Sequence, residues 1–189
     1  MKLFELIKDS FQGVALGMMD GLITLLGIVM GVGVATGDAR LIIITGMVGG
    51  ISNGFGTSIG LYTSENAERG QQIEFYKKKG TKLKASDKYI HTKTEIYMET
   101  LFSFLACVVA LIIPISPFFF GIPVVHAMAG CLIIATTMLF LLGFQIGRMN
   151  RESPFKNGVK YTIIGIASAI IALLIGEGLK IALGAGPVQ

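Results

Sequence analysis

Apolar and polar positions along this chain fall into long blocks instead of a short alternation. The chain is apolar from Phe11 to Ala35 and again from Leu41 to Ser64. From Thr100 to Gly147 there is no Asp, Glu, Lys or Arg. At ~1.5 Å per helical residue that stretch is long enough for two bilayer crossings, each needing about 20 residues. Pro114, Pro117, Gly121 and Pro123 mark the turn between them. Tyr161 to Leu183 forms a last apolar block, with Glu177 and Lys180 near its far end. The pattern predicts an all-α integral membrane protein, one transmembrane domain over 1–189, with five spans over about 11–35, 41–64, 100–120, 123–147 and 161–183. Between the second and third spans, 65–99 is predicted as a cytoplasmic helical hairpin. Its first helix continues the second span from Ser64 towards Lys79. Gly80 and Thr81 break it, and Ser86 or Asp87 caps a second helix leading into the third span.

Composition supports the membrane reading: 52% of residues are hydrophobic and 15% charged, with a mean hydropathy of +0.70. The net charge of +4 does not point to nucleic acid, because the basic residues cluster between spans. Lys2 and Lys8 precede the first span. Arg69, Lys77, Lys78, Lys79, Lys82, Lys84, Lys88 and Lys93 lie between the second and third. Arg148, Arg151, Lys156 and Lys160 lie between the fourth and fifth. All three clusters share one side if the N-terminus is cytoplasmic and the C-terminus is outside. The first apolar run is too long for the core of a cleavable signal. Cys107 and Cys131 lie in apolar runs and read as small buried residues, not as a disulfide. No Ser/His/Asp set, nucleotide loop or HExxH motif is present, so an enzyme is not expected.

Glycines recur every fourth residue at Gly13, Gly17 and Gly21, at Gly27 and Gly31, and at Gly46, Gly50 and Gly54, followed by Gly56 and Gly60. Small residues at that spacing let helix backbones approach closely. Two such faces on adjacent helices exceed the need of one contact, so a homodimer is expected.

Asp20 is the sole charge of its span. A carboxylate at that depth is costly and usually marks an ion route. Asn53, on the antiparallel second span, falls at a similar depth. Thr24, Ser52, Thr57 and Ser58 add oxygen groups, and Met18 and Met19 add thioethers. These residues are expected to line a path with oxygen and sulfur donors, a set suited to divalent transition metals. Desolvation favours the neutral acid, while a bound cation favours the carboxylate, so cation binding would expel a proton.

Folding the hairpin about Lys82 sets Glu65 opposite Glu99, Glu68 opposite Glu95 and Glu74 opposite His91. Glu65, Glu68, Glu95, Met98, Glu99 and His91 are candidates to hold a divalent metal. Pairing of the acids with nearby basic residues on a solvated face is the alternative.

The stretch from Asp20 to Gly33, DGLITLLGIVMGVG, resembles the vacuolar iron transporter family. So does Gly60-Leu61-Tyr62-Thr63-Ser64, where that family has Gly-Glu-Tyr-x-Ser. Leu61 stands in place of the family's glutamate, and Thr57 in place of a path methionine. The resemblance implies a homodimer in the lipid bilayer that exports divalent ions from the cytoplasm in exchange for protons. It places Asp20 on the path and makes Glu65, Glu68, Glu95, Met98 and Glu99 the metal-collecting residues. Fe²⁺, Mn²⁺ and Zn²⁺ are the candidate substrates, and no resident cofactor is expected. The membrane would be the cell membrane in a prokaryote or a vacuolar-type membrane in a eukaryote. The alternative is a non-transporting scaffold or sensor that binds metal or a partner through 65–99.

Overall fold

The computed structural model describes residues 11–78 and 92–183. Five long helices account for nearly all of them: α1 Phe11–Thr36, α2 Ala39–Lys78, α3 Lys93–Ile115, α4 Val124–Met149 and α5 Pro154–Ala182. All five are long and apolar enough to cross a membrane. A short 3₁₀ turn, Ser116–Phe120, follows α3. No strand occurs among the described residues.

Local chemistry sets the helix ends. Gly37 takes the left-handed conformation (φ 65°) that closes α1. Asp38 then caps α2, its Oδ1 accepting from the Arg40 backbone N–H at 2.7 Å. Helix α2 extends unbroken past the predicted span end at Ser64 to Lys78, as its helix-compatible polar sequence implies. Helix α3 starts at a capping box. Thr92 Oγ1 accepts from the Glu95 N–H at 3.2 Å, and Glu95 Oε2 accepts from the Thr92 N–H at 2.7 Å. This cap lies later in the chain than Ser86 or Asp87. Those two, together with Gly80, Thr81, Lys82, His91 and the turn of the expected hairpin, lie outside the described residues, as do Lys2 and Lys8. Pro114 sits in the last turn of α3, which ends one residue later. Helix α5 begins at Pro154, before the predicted 161, because proline is preorganised for the first helical turn.

Helix α1 is the centre of the bundle and contacts each of the other four helices. Leu22, Leu25, Leu26 and Val29 are each 0% exposed. One cluster joins Leu25 and Val29 to Ile42, Cys107, Leu111 and Ile115, on the side of α2 and α3. A second joins Leu22, Leu26 and Met30 to Ala135, Leu139 and Ala169, on the side of α4 and α5. The outer faces carry large apolar side chains such as Ile163, Ile170 and Leu174, as lipid-facing helices do.

Glycines make the contacts of α1 tight. A Cβ added at Gly17 would fall 1.9 Å from the Ser103 carbonyl oxygen on α3, and one at Gly176 of α5 would fall 2.3 Å from that of Gly31 on α1. Gly13 and Gly21 also lie against α3, at Glu99 and at Cys107 and Ala110. Gly46, Gly50 and Gly54 seat α2 on α3 at Ile115, Leu111 and Cys107. Gly27 lies at ordinary contact distance, 4.0 Å, from Ala172.

Gly17→Ala has no room, because what it meets is backbone. We expect it to cost about 1–3 kcal/mol or more, as overpacking does, read as a lower melting temperature in detergent. Gly178→Ala meets nothing within 4 Å and should leave the melting temperature unchanged.

Candidate metal and proton site

Helices α1 and α2 run antiparallel and bring Asp20 beside Asn53 and Thr57. Asn53 Nδ2 and Thr57 Oγ1 both donate to Asp20 Oδ2, each at 2.5 Å. Asn53 Nδ2 also donates to Thr24 Oγ1 at 3.0 Å. All four side chains are half-buried. The set follows from helical spacing: Asp20 and Thr24 are one turn apart on α1, and Asn53 and Thr57 are one turn apart on α2.

The chemistry lies in what remains unused. Both donors act on one oxygen, and Asp20 Oδ1 takes no hydrogen bond from the described residues. No Lys, Arg or His among those residues pairs with Asp20. A carboxylate within an apolar span therefore has its geometry fixed by two neutral groups, while its charge has no counter-ion among the described residues. A charge so placed is costly, and a cation supplied from outside would offset it. Cys107 of α3 packs at Gly21, next to Asp20 in sequence, and at Gly54, next to Asn53.

The other candidates take different positions. Met18 and Met19 are half-buried against the cluster of Leu22, Leu26, Leu139 and Ala169, on the α4 and α5 side. Ser52 is exposed and Ser58 is buried. Glu65 and Glu99 are buried, and Leu61 is buried one turn before Glu65. Glu68 is exposed and accepts from Gln72 Nε2 at 3.1 Å. Glu95 serves the cap of α3, and Met98 is half-buried. Among the described residues, no three His, Cys, Asp or Glu side chains form a group able to hold a metal ion. Glu177 is exposed and Lys180 half-buried at the end of α5.

Sequence reasoning missed the contribution of α3. Ser103, Cys107 and Ala110 form a small-residue face that receives Gly17, Gly21 and Gly54. Their spacing of three and four was the available signal. It also missed Tyr97, whose hydroxyl lies 3.1 Å from that of Tyr62 across α2 and α3.

Residues 11–100 and 72–177 match the model of the VIT family. The chain is also 31% identical over 163 residues to an uncharacterized protein of Methanocaldococcus jannaschii, with 84% of each chain covered.

Losing a donor to a partly buried carboxylate is costly. We expect Asn53→Leu to destabilise the protein by about 1–3 kcal/mol. Ser52→Ala, at an exposed neighbour, should change little. Thermal denaturation of both variants in the same detergent makes the comparison.

Proposed function

The chain belongs to the VIT family, a family of membrane metal-ion transport, and from that membership we infer that it is a secondary transporter exporting Fe²⁺ or Mn²⁺ from the cytoplasm in exchange for protons. The observation that carries this reading is Asp20, with one oxygen held by Asn53 and Thr57, the other unbonded, and no cationic partner among the described residues. A divalent ion arriving there supplies the missing positive charge and displaces the proton. When the ion leaves, a proton takes its place on the carboxylate. Alternate occupancy of one carboxylate by ion and proton is the basis of exchange.

Thr24, Asn53 and Thr57 supply neutral oxygen at the same level, and an oxygen-rich site suits Fe²⁺ and Mn²⁺. Met18 and Met19 extend the path as polarizable groups on the same helix. Glu65, Glu68, Glu95, Met98 and Glu99 gather metal at the cytoplasmic ends of α2 and α3. The chain works as a homodimer, through the face of α2 where Gly56 and Gly60 meet nothing within 4 Å.

In sealed liposomes, we expect a pH gradient to drive Fe²⁺ or Mn²⁺ flux and Asp20→Asn to abolish it. Undiminished, pH-dependent flux through the Asn variant would refute the mechanism. Absence of flux for any ion from folded wild-type protein would favour a sensor or scaffold.

Orientation has its own test. Cys107 and Cys131 are buried, so added cysteines can be read against a quiet background. Lys78→Cys and His126→Cys, both at exposed positions, should react with a membrane-impermeant maleimide from opposite sides, with Lys78→Cys on the cytoplasmic side.

A further inference from the structure

The tight turn between α4 and α5 carries charge that the bundle does not use. Arg148, Arg151, Lys156 and Lys160 run from the last turn of α4 into the second turn of α5, and all four are exposed. None has an ion-pair partner among the described residues. Glu152 is the sole acid between Glu99 and Glu177, and its Oε2 accepts from Asn157 Nδ2 at 2.8 Å. Arg151 stands where glycine is the usual residue. The Glu152 N–H bonds back to the Gly147 carbonyl at 2.9 Å, the long bond of a Schellman helix ending. Arg151, inside that loop, takes a left-handed backbone (φ 57°), which no other non-glycine among the described residues does. A Cβ is penalised there, and glycine is free of that cost.

The outer groove between α4 and α5 sets one of these cations at the head of an aromatic strip. Phe140, Phe144 and Arg148 follow one another at one-turn spacing along α4. The Phe140 and Phe144 rings lie 6.4 Å apart, and Phe155 of α5 meets Phe140 edge-on at 5.8 Å. Phe155 is nonetheless 65% exposed. Close approach of the two helices brings it there. A Cβ added at Gly143 would fall 2.7 Å from the Asn157 carbonyl oxygen, and one at Gly158 would fall 3.0 Å from that of Phe140. Arg151 lies in the turn between Arg148 and Phe155. Lys160 lies about 140° around α5 from Phe155, away from the strip.

We propose that this groove binds an anionic phospholipid, with the headgroup phosphate held by Arg148 and Arg151 and an acyl chain lying along Phe140, Phe144 and Phe155. A guanidinium fork matches phosphate oxygens and keeps its charge at any working pH. Basic residues at the end of a membrane helix attract anionic headgroups, and a long arginine side chain reaches the interface from just inside it. Positive charge alone would orient the chain across the membrane and would not distinguish one of the four cations from another. The strip of rings beside Arg148 and the strained backbone at Arg151 single out two of them. The site shares no residue with the Asp20 cluster and stands whether or not the chain exchanges metal for protons.

Native mass spectrometry of the full chain, released from detergent micelles doped with dioleoylphosphatidylglycerol or dioleoylphosphatidylcholine, reads the site. The wild type should retain phosphatidylglycerol more tightly than phosphatidylcholine, and Arg148→Gln should weaken that retention about fivefold. Arg151→Gly should weaken it by a similar factor, while the melting temperature without lipid stays level or rises because glycine relieves the left-handed backbone. That variant separates loss of lipid from loss of fold. Lys160→Gln should leave retention unchanged. Equal retention of the two lipids overturns the proposal. So does a loss in Lys160→Gln as large as in Arg148→Gln, which would show diffuse surface charge in place of a site. Inorganic phosphate that displaces the lipid at equal concentration also overturns it, by showing a site for free anions that makes no use of the acyl chain.

Discussion

The arrangement depends on one carboxylate that has hydrogen bonds but no counter-charge among the described residues. Asp20 stands in an apolar helix at the centre of the bundle, with Asn53 and Thr57 fixing one of its oxygens. Two neutral donors orient the group and soften its desolvation, but they do not neutralise it. A lysine or arginine in their place would hold Asp20 permanently charged and close it to other cations. On the exchange reading, proton and metal compete for it.

Backbone contact between helices makes this geometry possible. Where Gly17 meets Ser103 and Gly31 meets Gly176, a single methyl group would collide with main chain. Helix α1 is thereby held against α3 on one side and α5 on the other. The glycines of α2 are in turn seated on α3. Small-residue contacts do in lipid what apolar burial does in water, because lipid tails give helices little hydrophobic reason to associate.

Much of this was legible in the sequence, for definite reasons. The spans follow from hydropathy, since every backbone polar group in a bilayer must be bonded within its own helix. Counting along antiparallel helices sets Asp20 and Asn53 at one depth, with Thr24, Ser52, Thr57 and Ser58 near it; Asp20, Asn53, Thr24 and Thr57 are hydrogen-bonded together, whereas Ser52 is exposed and Ser58 stands outside that set. Helix ends were less legible. Helix α3 begins at Lys93 behind a capping box and α5 at a first-turn proline, Pro154, and neither signal lies in the apolar window. Adjacency in sequence also misleads about direction. Met18 and Met19 neighbour Asp20 along the chain, yet a helix turns about 100° per residue, and both pack towards α4 and α5. Mirroring 65–99 about its midpoint could not foresee that Glu95 is needed by the Thr92 cap.

The central claim is that metal and proton compete for Asp20. The most direct test counts protons released when Mn²⁺ or Fe²⁺ binds the purified protein, by calorimetry in buffers of different ionisation enthalpy. Binding to a group that must lose its proton releases it. The account predicts release of up to about one proton per ion, tracking the fraction of neutral acid at the working pH, and its loss in Asp20→Asn. Equal release from the wild type and that variant would contradict it.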